Sequence, residues 1–409
     1  MVQNKLIEKF FEKYYKNHAD DIVSPIRIEK REFGFMFFSK HIMHRHISFK
    51  NSLELRDYVR RTIPAHAYYS SAYYVNPSAP TMDEKGWEGA DLVFDIDVDH
   101  IETPCKEDHD LWKCLECGAS GKGMSPSKCP KCGSEKIERD TWICELCIEA
   151  AKEEALKVCD VLLDELGFSS KDLYLVFSGH RGFHIHVEEE DVIGIDQDAR
   201  REIVDYLLGI GLDLTTLGYF KRKIVLDIDL REEGWRGRVA RGLYDILLNC
   251  DEKLLRKLGL RSRDIKYILS NRERIISEIE RVPSNWLSLS SISAKSLERL
   301  VNHAVKLAAC KVDERVTIDV KRLIRLPGTL HGKTGFKVLK LSYNELESFS
   351  INDAFVFDMN VNVVVQSQRF PKRVANYGFS KRKGIVEVPL PIGIYLIGNS
   401  KEVKILKIV

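Results

Sequence analysis

The sequence contains no run of about 18 apolar residues, the length that a membrane-spanning helix requires, so no membrane partner is expected. Neither sign of charge is in excess. Lys and Arg number 63, Asp and Glu 61, and the formal net charge is +2. That balance excludes a global polyanion-binding signature, and any basic surface has to be local. The opening "MVQNKLIEKFFEKYYKNH" lacks a signal-peptide pattern. It reads as an amphipathic helix with Leu6, Ile7, Phe10, Phe11, Tyr14 and Tyr15 apolar. A cytoplasmic, intracellular protein is expected. Repeats and low-complexity linkers are also lacking. Cysteine is sparse outside one segment: of ten, seven lie between residues 105 and 147. The other three, Cys159, Cys250 and Cys310, sit in apolar or helical contexts and read as core.

What is present fills a chain of 409 residues, room for two to three domains at about 150 residues each. Apolar residues at 44% and charged residues at 30% describe a globular protein. Residues 30–50 and 68–100 are rich in aromatic and β-branched types and read as strands. "CIEAAKEEALKVCDVLLDELGF" reads as a long amphipathic helix stopped by Gly167. "LYLVFSGHRGFHIHV" reads as strand, tight turn, strand. From about 195 to 310 the pattern is mostly helical. Strand patterns return from about 313, in "VTIDV", "FKVLKLSY", "VNVVVQS" and "IVEVPL". The order predicts an α+β domain with a helical insertion: a first part of the core over 1–198 that includes a zinc-binding segment at 104–147, a helical subdomain over 199–310, and the rest of the core over 311–409.

Spacing is most decisive in the cysteine segment. Cys114-x2-Cys117, eleven residues, then Cys129-x2-Cys132 is a four-thiolate pattern, with Gly118 and Gly133 just after each pair. Each CxxC turn aims two sulfurs at one point, and zinc prefers such tetrahedral sulfur sites. Cys144-x2-Cys147 leaves a third pair, with Cys105 and His109 spare upstream. A second site of Cys105, His109, Cys144 and Cys147 would enclose the first as an outer hairpin. The alternative is one zinc choosing among seven cysteines. Sites with four protein donors are structural, since no position stays open for catalysis.

Three acids, Asp95, Asp97 and Asp99, alternate with apolar residues in "VFDIDVDH". Strand side chains alternate between faces, so all three are expected on one side. A solvated strand face is the plain interpretation. The apolar flanks instead favour a central strand whose acid face lines a cleft, where hard oxygen donors suit Mg²⁺ or Mn²⁺. Two such ions stabilise the attacking and leaving oxygens of phosphoryl transfer. "SGHRGFHIHV" brings Ser178, His180, Arg181 and His184 around a Gly-flanked turn, a possible polyphosphate cradle. In "KVDERVTIDVKRLIRLPGTLHGKTG", Arg322, Arg325 and Lys333 surround His331 in a Gly- and Pro-rich turn, which suggests phosphate contacts.

Taken in order, "REFGFMFF", "YYSSAYYVNPSAPTMDEKGWEGADLVFDIDVDH", "CELC", "SGHRGFHIHV" and "RLIRLPGTLHGKTG" resemble closely the small catalytic subunit of the archaeo-eukaryotic DNA primases, and specifically an archaeal one. The resemblance covers most of the chain except 195–310, where only helical character matches. It implies a primase-polymerase fold, a mixed sheet flanked by helices. It implies that Asp95 and Asp97 hold two catalytic Mg²⁺ or Mn²⁺ ions, and that Ser178, His180, Arg181 and His184 grip the nucleoside triphosphate. Arg325, His331 and Arg45 match its other nucleotide-binding positions. Its third metal-ligating Asp lies eighteen residues before the His of the "LHGKTG" turn, which gives Asp313. Asp319 is the runner-up, and Asp227 with Asp229 in "LDIDL" a weaker decoy. Asp99 has no counterpart. The family zinc knuckle matches Cys105, His109, Cys144 and Cys147, which makes Cys114, Cys117, Cys129 and Cys132 an inserted second ribbon.

The resemblance further implies primer synthesis de novo on a single-stranded DNA template by two-metal nucleotidyl transfer. It also implies a heterodimer with a large, iron–sulfur-bearing subunit and a nucleoid-associated cytoplasmic location. A primer-dependent repair polymerase of the same superfamily and a non-catalytic zinc-bearing nucleic-acid-binding subunit are the competing readings. The cysteines count against the first, and the intact acid and triphosphate motifs against the second.

Overall fold

Strand-forming runs of alternating burial build two antiparallel four-stranded sheets. The computed structural model describes residues 2–219, 228–400 and 402–409. One sheet has the order Leu323–Arg325, His66–Ser70, Phe33–Phe37, Lys40–Ile47. The other has the order Leu339–Leu341, Leu173–Phe177, Gly182–Val187, Leu92–Asp97. Phe33, Phe35 and Tyr69 of the first sheet and Phe94, Ile96, Phe183 and Ile185 of the second are buried. The two sheets meet through aromatic rings. Tyr174 stacks on His186 at 4.7 Å, Tyr69 lies 6.4 Å from the same ring, and the two tyrosine hydroxyls are 3.3 Å apart. His186 is therefore a core imidazole, and burial holds its pKa well below the ordinary value.

The chain is α+β and divides into two compact units. One comprises residues 1–159, 168–201 and 312–409, and the other 160–167 and 202–311. The first unit holds both sheets and the helix Val2–His18, whose Phe11 and Tyr15 are fully buried. It also holds a C-terminal sheet ordered Gly384–Pro389, Asn362–Ser367, Lys404–Ile408 and a small sheet ordered Ser120–Lys122, Leu111–Cys114, Ile137–Asp140. The second unit is helical. Its core is built from Trp235, Val239, Leu243 and Leu247 of Gly234–Asn249 and Leu300, Val301 and Ala304 of Ala294–Ala308. No helix among the described residues is long and apolar enough to cross a membrane.

Two local expectations are corrected. "VTIDV" lies largely in a short helix, Glu314–Ile318, because the Asp313 side chain accepts the Arg315 N–H and caps a turn before any strand partner is reached. The acid strand ends at Asp97, whose carboxylate accepts the Asp99 N–H and starts a 3₁₀ turn over Val98–His100. Asp99 thereby leaves the face it would share with Asp95 and Asp97.

Candidate active site and metal centres

The acid strand runs antiparallel to Gly182–Val187, with Asp95 opposite His184 and Asp97 opposite Gly182. The Gly-flanked turn is pressed from two sides. A Cβ on Gly182 would lie 2.0 Å from the Ile96 carbonyl oxygen, and one on Gly179, at φ +75°, 2.8 Å from His331 Cβ. Only glycine fits both places. Thr334 Oγ1 donates to the Gly179 carbonyl at 2.6 Å, fastening the "LHGKTG" turn to the "SGHRG" turn. His180 then stacks on His331 at 4.9 Å, and His66 meets His331 edge-on at 4.7 Å. Arg325, paired across the sheet with Tyr68, lies over the Tyr68 ring at 4.6 Å, and its Nη1 is 2.6 Å from His66 Nδ1. The Asp313 backbone N–H donates to the Asp95 carbonyl at 2.9 Å and sets that residue beside the acid strand.

These elements enclose a cleft of about 220 Å³. Asp95, Asp97, Ser178, His180, His184, Arg325 and His331 line it together with Tyr68, Gly182, Val316, Arg322, Leu323 and Ile324. Its charges are sorted. Burial, then the neighbouring Asp313, pushes the Asp95 carboxyl up to about 6; burial, then Asp99, does the same to Asp97, also to about 6. Among the described residues, Arg322 and Arg325 have no carboxylate within ion-pair distance. Burial, followed by repulsion from nearby cations, lowers His180 and His184 to about 3, so both imidazoles are neutral at physiological pH. His184 Nε2 lies 3.5 Å from an Asp95 oxygen, and its buried Nδ1 has no hydrogen-bond partner.

The acid wall suits hard divalent cations. One oxygen of Asp97 accepts the Asp99 N–H and one of Asp313 accepts the Arg315 N–H, which leaves each a second oxygen. Asp95 and Asp97, raised by burial and by neighbouring carboxylates, gain from a bound cation.

Other sequence-predicted residues lie elsewhere. Arg181 is 1% exposed and does not line the cleft; its Nη2 donates to Asp110 Oδ2 at 3.0 Å, and its Nη1 is 3.4 Å from Asp99. Arg45 pairs with the buried Glu32 through Nε at 2.9 Å, likewise outside the cleft lining. Asp319 caps Lys321 N–H and interacts with Arg45 and Tyr74 rather than with Asp95. Asp229 is bound by its near neighbour Arg231, and Asp227 falls outside the described residues. Sequence reading missed Tyr68 and His66. Both fall on one face of "HAYYS" by period 2, a signal that gains meaning only once the Leu323–Arg325 strand pairs beside them.

Two groups of donor atoms are gathered in the cysteine segment. Cys105, His109, Cys144 and Cys147 form one and Cys114, Cys117, Cys129 and Cys132 the other, the ligand atoms of each lying within 4.8 Å of one another. Either donor set suits zinc. In the first, His109 Nε2 is 3.4 Å from the sulfurs of both Cys144 and Cys147, and Cys105 and Cys147 sulfurs are 3.4 Å apart. His109 Nδ1 is 2.7 Å from Asp110 Oδ1, which also accepts the Trp142 N–H at 3.1 Å. Such a carboxylate fixes the imidazole tautomer of a metal ligand. Burial opposes the Asp110 charge, yet His109 and Arg181 hold its pKa below the usual carboxylate value. Lys106 Nζ donates to the Val98 and Ile101 carbonyls at 2.5 and 2.6 Å, pinning this group to the end of the acid strand.

In the second group, sulfurs of Cys114 and Cys132 and of Cys117 and Cys129 are each 3.6 Å apart. Gly118 N–H donates to the Cys114 carbonyl at 3.0 Å and Gly133 N–H to that of Cys129 at 2.8 Å, closing two knuckle turns.

A family model described as DNA primase small subunit matches residues 133–341. The DNA primase small subunit PriS of Methanothrix thermoacetophila is 36% identical, over 95% of this chain and 95% of its own length. PriS of Methanosarcina acetivorans is 32% identical, over 96% of this chain and 94% of its own. PriS of Thermoplasma volcanium is 30% identical, over 98% and 97%.

Proposed function

The chain belongs to the DNA primase small subunit family, and on that footing we propose that the cleft between the acid strand and the "LHGKTG" turn is the centre at which primers are started and extended. The observation that carries this reading is the convergence of charge in one cleft: buried acids, neutral imidazoles, and two arginines with no carboxylate in ion-pair distance among the described residues. Asp95, Asp97 and Asp313 would hold two Mg²⁺ or Mn²⁺ ions, which supply charge neutralisation on the reacting phosphate and acidify the attacking hydroxyl. Above pH about 6 the carboxyls of Asp95 and Asp97 are ionised and competent for that role. Ser178 and the neutral His180, His184 and His331 offer hydroxyl and N–H groups to triphosphate oxygens. Arg325 and Arg322 supply charge that no carboxylate among the described residues pairs with directly. Tyr68 keeps the Arg325 guanidinium over its ring and so aimed. A 3′-hydroxyl or an initiating nucleotide then attacks the α-phosphorus in line, and pyrophosphate leaves.

Arg181 takes a positioning role in this account. Through Asp110 it ties the triphosphate turn to the outer Cys/His group. Both groups are proposed as closed, structural zinc sites, the outer one corresponding to the knuckle of the family and the inner one inserted. The partners proposed are single-stranded DNA template, nucleoside triphosphates and a large subunit bearing an iron–sulfur cluster. The proposed setting is the reducing cell interior, which ten cysteines outside any disulfide suit. The test is dinucleotide formation on an unprimed single-stranded template, with and without the large subunit. Product without a primer is expected. Product only when a primer is supplied would assign a primer-dependent polymerase, and no product under either condition would leave a binding subunit.

A further inference from the structure

The segment 369–383, "RFPKRVANYGFSKRK", carries six basic residues and no acid, in a chain whose net charge is only +2. It folds back on itself, with Arg373–Val374 pairing to Tyr377–Gly378. Two of its cations are already neutralised by the cysteine segment: Arg369 by Asp140 at 2.8 Å, and Lys372 by Asp108. Backbone bonds fix the same attachment. Ala375 N–H donates to the Ile143 carbonyl at 3.0 Å, and Glu145 N–H to that of Ala375 at 3.2 Å. Arg373, Lys381, Arg382 and Lys383 are exposed and have no ion-pair partner among the described residues. The Phe379 ring is half-buried and stacks at 5.4 Å and 6° on Phe370, which is itself 2% exposed. Between this hairpin and the outer Cys/His group runs an open groove of about 540 Å³, whose walls include Arg373, Phe379, Ser380 and Leu146, the last 61% exposed.

We propose that this basic hairpin and its groove bind single-stranded nucleic acid, the template strand of the proposed reaction. The chemistry is that of strand-tracking surfaces: cations spaced for successive phosphates, and an aromatic ring, anchored from behind, on which a base can stack. An acidic protein surface would match the charge alone and would leave the stacked ring without a role. The proposal rests on the primase reading for the identity of the strand, but the site is separate from the nucleotide cleft.

The test uses the full chain and a fluorescent oligodeoxythymidine, with binding followed by anisotropy across a salt series. The variants are the triple Arg373→Glu, Lys381→Glu, Lys383→Glu, on exposed side chains, and Phe379→Leu, which keeps the packing on Phe370. Zinc content and thermal melting of each variant verify that the fold is kept. The triple variant is expected to bind at least tenfold more weakly and to lose about two from the slope of log affinity against log salt, three phosphate contacts at ~0.7 each. Phe379→Leu is expected to weaken binding several-fold with an unchanged salt slope. If the folded triple variant binds within twofold of a wild type that makes product, the groove is not the template site and the catalytic reading stands. If the wild type itself neither binds the oligonucleotide nor makes product, both fall. Loss of the large subunit with oligonucleotide binding intact would show a protein-docking surface and overturn the proposal.

Discussion

Two donor groups of the same size, built within one stretch of sequence, are held in opposite ways. The outer group, Cys105, His109, Cys144 and Cys147, has three of its four ligands buried, and a carboxylate and an arginine stand behind His109. Trp142 beside it is 2% exposed and packs near Tyr395, whose hydroxyl accepts the Ile143 N–H at 2.8 Å. The inner group is carried by the knuckle turns of a three-stranded sheet, only Cys114 lying in a strand; Cys114 and Cys129 are buried and Cys132 is exposed. Its neighbouring ion pairs, Lys136–Glu116 and Lys128–Glu135, are on the surface and contribute little. A cluster of metal-donor side chains can be part of a fold's core or sit in an appendage to it, and the surrounding shell decides which.

That contrast is broken most severely at the outer group. Cys144→Ser should cost one zinc and the folding of the first unit, because the pair Cys144 and Cys147 anchors the start of the helix Glu145–Asp160. Elemental analysis and melting temperature check this. Zinc retained at the wild-type level with an unchanged melt would remove the outer group from the core. Asp110→Asn keeps shape but leaves Arg181 buried with one charge partner fewer. A loss of about 3 kcal/mol in denaturant unfolding is expected, the scale of a broken buried pair. The sign with pH follows from the depressed Asp110 pKa. Its stabilisation is complete above an unfolded carboxylate value of about 4 and is lost as pH falls through the lower folded value. In the variant, the acid limb of the stability curve should therefore flatten.

Cys114→Ser should be milder. One zinc is lost, while the melting of the first unit stays within a few degrees of wild type, since Cys132 is exposed and the ribbon's ion pairs lie on the surface. A global unfolding comparable to that of Cys144→Ser would erase the distinction. An effect of the opposite sign belongs to the cleft. The folded Asp95 pKa lies near 6, above its unfolded value, so in the metal-free protein ionising it costs stability as pH rises through about 6. Metal-free Asp95→Asn should be more stable than wild type by about 3 kcal/mol at pH 7.5, roughly two pKa units at about 1.4 kcal/mol each, and show no such gain at pH 4.

The cysteine groupings were legible because a CxxC turn is a local object whose geometry follows from spacing. The residues that line the cleft were legible where a motif lies on a strand or a glycine-forced turn, as with Asp95, Asp97, His180 and His184. Arg181 was not, since a side chain at the tip of a tight turn can point to either side, and Asp110, one residue after a proposed zinc ligand, decides which. Asp99 was misread because a carboxylate at a strand end can cap the next turn as easily as the strand can continue. The same local competition put helix over "VTIDV", where Asp313 caps. Tyr68 and His66 depend on strand pairing between residues more than 250 apart in sequence, which no local pattern carries.

On the proposed function, catalysis belongs to the acid cleft and to neither closed cysteine group. The measurement is primer-independent dinucleotide formation by Asp95→Asn, Asp97→Asn and Asp313→Asn, with Asp319→Asn as the neighbouring acid, each variant assayed with its zinc content determined. Two zinc ions are expected in every one of these proteins, with product near background for the first three and substantial product for Asp319→Asn. Near-normal product from Asp95→Asn and Asp97→Asn with zinc intact, or a reversed ranking of Asp313 and Asp319, would contradict it.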